Sequence, residues 1–256
     1  MSKQQVQSIF GASADAYVTS KVHAKGASLN RVVELAAPQL HWRVLDIATG
    51  AGHMAFSLAP YVQQVVATDI TMQMLERTAV GAQERGLRNV IVETADAENL
   101  PFPAARFDLV TCRIAAHHFP DVDRFVAEAA RVLKPGGLLV VVDNVVPGSH
   151  LRGKKAAMQR EAGRYVNAFE KLRDPSHGRC LSLDEWAEQF RRAGLALVHQ
   201  EALRKEMDFA SWTDRLHVAD ADRTRLRVML LQAPTAVSEF LTPTHTGDRI
   251  AFYLTE

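Results

Sequence analysis

The sequence predicts an α/β fold: a doubly wound, mostly parallel β-sheet with helices on both faces. Two observations lead to this prediction. Short apolar runs of strand character recur along the first 145 residues, and several end at or near a carboxylate, as at Asp46, Asp69 and Asp96. Amphipathic helical patterns separate these runs, and strands that alternate with helices are typical of parallel sheets.

The chain begins with a polar segment, residues 5–37, that is predicted to be helical, with breaks at Gly11 and Gly26. Its expected apolar anchors are Phe10, Tyr17 and Val22. From Leu29 the apolar residues recur at spacings of three and four, which indicates a second amphipathic helix. Pro38 is expected to end it.

The stretch from Val44 to His53 predicts a strand, a tight turn and the start of a helix. Gly50 and Gly52 allow the backbone to approach a ligand without a Cβ in the way. Backbone N–H groups at a helix start favour an anionic group such as a phosphate or carboxylate. A lone glycine pair is equally typical of a plain turn, so the neighbouring motifs decide the interpretation.

The acid that ends the second strand strengthens a nucleotide interpretation. Asp69 follows a buried run at 65–68, where its carboxylate can accept two hydrogen bonds from the vicinal hydroxyls of a ribose. Further strands are predicted over residues 90–93, 107–112 and 138–143. Ligands of an open parallel sheet bind at the carboxyl ends of the strands, which is where these acids fall.

Helices are predicted between these strands over residues 54–59, 72–85 and 121–133. The second of them should turn Leu75, Ala79 and Ala82 toward the core and end at Gly86. Beyond the fifth strand, Ser182 and Glu185 form a capping box that predicts another helix. A sixth strand is expected over residues 195–203 and a last one over 249–254.

Four motifs together resemble those of a known family. They are the turn at 44–52, Asp69, the run 96–103 followed by Phe107-Asp108, and the run 131–137. In this order they resemble the class I S-adenosylmethionine-dependent methyltransferases, most closely the small-molecule branch that includes the ubiquinone and menaquinone-biosynthesis C-methyltransferases. Ala48 departs from the pattern, because many members have a glycine there; we expect a slightly tighter fit and no loss of binding.

The resemblance implies a Rossmann-like, seven-stranded sheet and S-adenosyl-L-methionine as cofactor. The turn would hold the methionine end, Asp69 the ribose, and Asp96 with Ala97 the adenine. The expected cofactor-binding set is Asp46, Ala48, Thr49, Gly50, Gly52, Asp69, Ile70, Met74, Asp96, Ala97 and Arg113. Simpler interpretations remain open, since Asp96 is also typical of a turn and Ile70 and Met74 of a core.

The loop after the fourth strand carries His117 and His118. It lies where a methyl donor would meet its acceptor, and a neutral imidazole can take a proton from the acceptor as the methyl group transfers. Adjacent histidines are not expected to face the same point, so that one of them would be structural. Their spacing does not indicate a zinc site, and no metal is predicted.

We expect a single methyltransferase domain, residues 1–256, in which 1–38 form an N-terminal helical lid and 39–147 the cofactor-binding core. Two helical insertions would cap the substrate site, 148–180 and 206–246. The lid prediction is based on Tyr17–His23, which also suits an ordinary packing helix. The first insertion is basic. Its charges would either form a solvated face of an amphipathic helix or belong to a cap that prefers an anionic or polar-tailed acceptor.

The overall composition narrows the choice of partners. A formal net charge of +1 gives no pull toward nucleic acid, and no apolar run is long enough to span a membrane. Two cysteines and the lack of an apolar signal region favour a cytoplasmic protein. The sequence gives no indication of the oligomeric state.

The sequence therefore predicts a methyltransferase that acts on a small-molecule acceptor by in-line displacement. Two alternatives stay open. One is a non-catalytic protein that binds S-adenosylmethionine, and the other is a nucleotide-dependent oxidoreductase. Against the oxidoreductase, Ala55 and Phe56 stand where the third glycine of a dinucleotide fingerprint would lie.

Overall fold

A computed structural model describes residues 3–19 and 26–256. The chain divides into two compact units, Met1–Val142 and Asp143–Glu256. The helices of the first unit are α1 (Lys3–Thr19), α2 (Ala27–Ala36), α3 (His53–Leu58), α4 (Met72–Glu84) and α5 (Val122–Val132). Its strands are β1 (Arg43–Ile47), β2 (Gln64–Asp69), β3 (Val90–Thr94), β4 (Phe107–Arg113) and β5 (Leu133–Val142).

The second unit has its own helices and strands. Its helices are α6 (Lys154–Arg173), α7 (Leu183–Arg192), α8 (Phe209–Asp214), α9 (Asp220–Leu231) and α10 (Thr235–Leu241). Its strands are β6 (Arg204–Asp208), β7 (Thr244–Thr246) and β8 (Arg249–Thr255).

The first unit confirms the predicted α/β fold. Its five strands form one parallel sheet in the order β3-β2-β1-β4-β5. Strand β1 lies at the centre, where Leu45 pairs with Val66 on one side and with Val110 on the other. These central strands are buried along nearly their whole length, as expected of parallel strands covered on both faces.

The expected count of seven strands in one sheet is wrong. In the described part of the chain the central sheet has five strands, while β6, β8 and β7 form a separate antiparallel sheet. The predicted sixth strand over 195–203 is also wrong: residues 196–200 lie exposed in irregular structure. Strand β6 begins at Arg204 instead, because residues 204–208 form a ladder with β8.

Several helix ends follow from local chemistry. The carboxylate of Asp121 accepts the N–H of Arg124 and caps α5, and Ser182 with Glu185 forms the predicted capping box of α7. Gly86 ends α4 in a left-handed conformation, as predicted. The predicted break at Gly11 is wrong, because α1 runs through it; its absent Cβ leaves room for the side chain of Gln73.

Each unit has a core of its own. In the first unit α2 and α3 pack on the sheet through residues such as Leu29, Val32 and Leu58. In the second unit, Phe169 stacks on Trp212 with ring centroids 5.0 Å apart, and Phe252 meets Trp212 edge to face at 5.1 Å. The first core positions the strand ends that carry the predicted site.

The predicted lid segment is described only in part. Residues 17–19 are the last turn of α1, whereas residues 20–23 and the predicted anchor Val22 lie outside the described residues. Of the other two predicted anchors, Tyr17 belongs to that last turn, and Phe10 packs against the ring of His118. Within residues 3–19 and 26–256, no helix is both long and apolar enough to cross a membrane.

Candidate functional site

The strand order defines a crevice at one edge of the central sheet. From β1 the chain moves outward to β2 and β3 on one side, and β4 and β5 then occupy the other side. The connections after β1 and β4 therefore diverge, and in doubly wound sheets ligands bind at such a switch point, beyond the carboxyl ends of the strands. The glycine turn follows β1, and the histidine loop follows β4.

The turn after β1 depends on left-handed backbone conformations. Ala48, Gly50 and Gly52 have φ angles of +53°, +56° and +84°. The Thr49 N–H donates to the Thr68 carbonyl at 2.8 Å, which ties the turn to β2. Residues 48–50 remain partly exposed. A ligand can thus approach this backbone closely, although the N–H groups of Thr49, Gly50 and Gly52 already donate to acceptors within the protein.

Asp46, at the end of β1, fixes the turn through hydrogen bonds. Its carboxylate is buried and accepts the hydroxyl groups of Thr49 at 2.6 Å and Thr111 at 2.7 Å. It also accepts the backbone N–H of Ala55 in the first turn of α3. Burial raises the pKa of Asp46 to about 6, although these hydrogen bonds and the charge of Arg113 act in the opposite direction. One side chain thereby connects β1, β4, the turn and α3.

Asp69 lies beside the same turn. One carboxylate oxygen accepts the Gly50 N–H at 3.0 Å and the other accepts the Thr71 N–H at 2.8 Å. The Ile70 N–H and the Thr71 hydroxyl donate to it as well. Burial raises the pKa of Asp69, and these donors oppose that rise. The carboxylate is therefore held next to the glycine turn, where the sequence predicted it, and its binding of a ribose stays a prediction.

Helix α4 fixes the other side of the turn, and its inward face differs from the prediction. Ala79 is exposed, while Thr78 and Gly81 are buried in its place. The Thr78 hydroxyl donates to the Gly50 carbonyl at 2.8 Å. The ring of Phe56 lies so close to Gly52 and Gly81 that a Cβ at either would approach Phe56 Cζ within 3 Å.

Sequence reasoning missed Thr78 and Gly81. A threonine and a glycine on the apolar face of α4, in register with Leu75 and Ala82, were the available signal. Thr78 holds the turn through its hydrogen bond to Gly50, and Gly81 leaves room for the ring of Phe56.

The predicted adenine-binding acid has a partner from the N-terminal helix. Lys3 Nζ lies 2.6 Å from Asp96 Oδ2 and 2.6 Å from Glu98 Oε2. Asp96 Oδ1 accepts the Glu98 N–H at 3.0 Å, and Ala97 is buried between these two acids in the sequence. Burial alone would lower the pKa of Lys3, but hydrogen bonds and charges of both acids outweigh it and raise the pKa.

Two further predicted residues follow β2 at the base of α4. Met74 is buried, whereas Ile70 is partly exposed. The Gln7 side chain of α1 donates to the Ile70 carbonyl at 2.8 Å. Ile70 therefore lies at the open side of the crevice, and Met74 lies in the packing beneath it.

Arg113 ends β4 on the opposite wall of the crevice. Its Nε donates to the Ser28 hydroxyl of α2 at 3.0 Å. The next residue, Ile114, has a φ of +53°, which is unusual for a β-branched residue, and its N–H donates to the Val142 carbonyl at 2.7 Å. Strained backbone of this kind is concentrated at functional sites, where the surrounding structure enforces it.

His117 and His118 lie in a short 3₁₀ turn and are both buried. Their ring centroids are 4.1 Å apart, and the ring of Phe10 meets that of His118 edge to face at 4.9 Å. The two imidazoles thus lie side by side instead of pointing apart. Which of them would face an acceptor stays a prediction.

The first unit brings the predicted residues together at one edge of its sheet. The turn residues and Asp46 belong to the end of β1, Asp69 and Ile70 to that of β2, and Asp96 follows β3. Arg113 and the two histidines follow β4. This edge combines a glycine turn, buried carboxylates, a guanidinium group and imidazoles, which suits a ligand with both a charged and a nucleoside-like part.

Comparison with known proteins gives a consistent result. The sequence matches the family described as a methyltransferase domain over residues 45–141. The uncharacterized methyltransferase YcgJ of Bacillus subtilis (strain 168) is 39% identical over 206 residues, which cover 80% of this chain and 78% of YcgJ. A demethylmenaquinone methyltransferase of Deinococcus radiodurans is 43% identical over 116 residues, 43% of this chain and 46% of that enzyme.

Solved structures give the same result at the level of the fold. The structure of YcgJ from Bacillus subtilis superposes with a TM-score of 0.79 at 34% identity, covering 89% of this chain and 96% of YcgJ. A phosphoethanolamine N-methyltransferase 2 of Haemonchus contortus, in complex with S-adenosyl-L-methionine, shares the fold with a TM-score of 0.55 at 18% identity, covering 96% of this chain and 56% of the other. Since the match to YcgJ extends over most of both sequences, this chain belongs to the class I methyltransferase family.

Proposed function

We propose that this methyltransferase uses S-adenosyl-L-methionine and transfers its methyl group to a small-molecule acceptor by in-line displacement. The observation that carries the proposal is the switch point between β1 and β4. The glycine turn with Asp69 forms one wall of this crevice, and Arg113 with the histidine loop forms the other. The similarity to the demethylmenaquinone methyltransferase of Deinococcus radiodurans supports the proposal that the acceptor is a small molecule.

The residues of the crevice suit the parts of such a cofactor. Asp69 would bind the ribose hydroxyls, and Asp96, which is partly exposed, the amino group of adenine. The partly exposed backbone of 48–50 would lie along the methionine end, with the guanidinium of Arg113 near its carboxylate. Because Asp69 already accepts the Thr71 hydroxyl, a ribose hydroxyl would replace that rotatable donor.

The chemistry divides between cofactor and protein. When bound, S-adenosylmethionine supplies a methyl group on a sulfonium, and methyl transfer breaks the carbon–sulfur bond while a bond to the acceptor forms. The protein would align the acceptor with that bond, an effect that accounts for much of the acceleration in bimolecular reactions. A ring nitrogen of His117 or His118 would take the proton that the acceptor loses.

Calorimetric titration with S-adenosylmethionine tests the proposal. Replacing Asp69 by Ala removes the ribose acceptor, and we expect binding to weaken by about 1.5 to 3 kcal/mol, the range for hydrogen bonds to a charged group. Thr71→Val is the matched control, since it keeps the shape of the neighbouring side chain and deletes only the donor that ribose would replace. The control should bind as tightly as the wild type or more tightly.

The titration also separates the alternatives. Binding of NAD in place of S-adenosylmethionine would contradict the proposal and favour an oxidoreductase. Equal affinity of Asp69→Ala and wild type would mean that the ribose is held elsewhere. Incubation with methyl-labelled cofactor and a metabolite extract tests the remaining alternative. If the protein binds the cofactor but no extract yields a labelled product, it is a binding protein without methyltransferase activity.

A further inference from the structure

Helix α1 contacts residues that follow three strands of the central sheet, on both sides of β1. Lys3 reaches Asp96 after β3, Gln7 reaches the Ile70 carbonyl after β2, and Phe10 packs on His118 after β4. These contacts come from residues three and four apart, which lie on one face of a helix. The position of α1 is thus fixed at several points, and Lys3 alone does not determine it.

Lys3 occupies an unfavourable place for a cation. It is the first residue of α1, where the helix dipole disfavours positive charge. Two carboxylates compensate, each 2.6 Å from Nζ. Glu98 is itself held in place, because its other oxygen accepts the Asp121 N–H at 2.8 Å. A cation that the helix alone would not favour is therefore held between two acids at the predicted base-binding end of the site.

The pair of acids needs such a cation. Asp96 and Glu98 are two residues apart and both point at one ammonium group, so that without it their charges would repel each other at short range. Glu98 is buried and anchored by the N–H of Asp121, which lies on another element. The side chain of Asp96 is 31% exposed, and its second oxygen accepts the N–H of Glu98, only two residues away. Loss of the cation would therefore turn Asp96 away first.

We propose that Lys3 is a positioning residue that orients the Asp96 carboxylate toward the 6-amino group of the cofactor's adenine and so determines base specificity. The proposal rests on the proposed function, in which Asp96 binds that amino group. An oriented, ionised carboxylate accepts a hydrogen bond from an amino group and repels the carbonyl oxygen that hypoxanthine carries at the same position. Lys3 thus acts through Asp96 on the choice between the two bases.

The test compares S-adenosylhomocysteine and S-inosylhomocysteine in calorimetric titrations. These ligands differ at position 6 of the base and in the proton that hypoxanthine carries on N1, and the wild type measures the effect of that proton. For Lys3→Met we expect the affinity for S-adenosylhomocysteine to fall by roughly tenfold, near the low end for a hydrogen bond to a charged group. Affinity for S-inosylhomocysteine should stay the same or rise. Lys3→Arg should restore the preference for adenine, because it keeps the positive charge between the two acids.

Gln4→Met is the control for helix α1, since Gln4 is exposed on the same turn. It should leave both affinities unchanged. Equal losses for the two ligands in Lys3→Met would assign the effect to helix packing and overturn the proposal. Tighter binding of S-adenosylhomocysteine, or no rescue by Lys3→Arg, would overturn it as well. If the wild type binds neither ligand, the proposed function itself fails, which is a separate result.

Discussion

The buried carboxylate of Asp46 makes the free energy of unfolding depend on pH. Its folded-state pKa of about 6 lies above the ordinary value of 3.8. Between these two values the folded state holds a proton that the unfolded state has lost, so the free energy of unfolding falls as the pH rises through this window. The stabilisation is fully present below pH 3.8 and is lost above about pH 6.

We expect Asp46→Asn to become more stable relative to the wild type as the pH rises. The asparagine has the same shape and does not titrate. The shift of the pKa corresponds to roughly 3 kcal/mol in total, of which roughly 2 kcal/mol falls between pH 4 and pH 7. Urea unfolding of both proteins across this range measures the difference. A difference that stays constant with pH would show that Asp46 remains ionised in the folded protein.

Ala48 has a left-handed backbone conformation that a glycine would adopt without strain. Its φ of +53° costs an L-residue about 1 to 2 kcal/mol, while glycine loses about 0.5 to 1 kcal/mol through its greater freedom when unfolded. Ala48→Gly should therefore raise stability by up to about 1 kcal/mol. Ala105→Gly is the matched control, with a φ of +55° in an exposed loop, and thermal unfolding should show a similar gain.

The affinity of both variants for the cofactor shows whether the substitutions change anything besides stability. Ala48 lies in the proposed methionine-binding turn, whereas Ala105 belongs to none of the predicted site motifs. We expect both variants to keep their affinity for S-adenosylmethionine, because neither adds an atom. Loss of stability in Ala48→Gly alone would mean that the alanine methyl group packs in the turn and outweighs the strain.

At the scale of elements, the packing of α4 on the glycine turn reverses a general rule. Alanine is usually better than glycine inside a helix by about 1 kcal/mol. At Gly81, however, a Cβ would lie 2.9 Å from Phe56 Cζ, and the same ring atom lies 2.5 Å from where a Cβ of Gly52 would be. Overpacking of this kind costs about 1 to 3 kcal/mol, so Gly81→Ala should destabilise the protein in chemical unfolding.

Gly11→Ala is the comparison within another helix. Its Cβ would meet only the flexible end of the Gln73 side chain at 3.1 Å, so this variant should gain the usual helix stabilisation. Combining Gly81→Ala with Phe56→Leu should cost less than the sum of the two single changes, because the shorter side chain removes the clash. Full additivity would place the strain of Gly81→Ala somewhere other than Phe56.

The elements of the first unit could be predicted because their signals are local. Buried runs gave the strands, Gly86 gave a helix end, and Asp46 and Asp69 marked strand ends. Contacts between elements left no such signal. Lys3 is a single cation on a polar helix, and its partner Asp96 lies 93 residues further along the chain. Only the folded chain brings these two residues together.

At the scale of the whole molecule, resemblance predicted the fold class but overstated the central sheet. The run at 195–203 has the apolar residues of a strand, yet Val198 is 82% exposed. Residues 204–208 form the strand instead, although their pattern is mostly polar, since the backbone ladder with β8 stabilises them. A pattern of apolar residues indicates which residues are buried. It does not predict a strand such as β6, which is stabilised by backbone pairing with its neighbour.

The division into two units leads to a last prediction about ligand binding. All predicted cofactor residues belong to the first unit, so S-adenosylmethionine should protect that unit from hydrogen exchange. Protection should be largest in the turn at 48–53 and in α1. At a ligand concentration of 100 times Kd the free energy of unfolding should rise by about 2.7 kcal/mol, with a higher Tm. NAD is the control and should cause neither effect; protection confined to residues 143–256 would contradict the assignment of the site, because the ligand would then bind apart from Asp69 and the glycine turn.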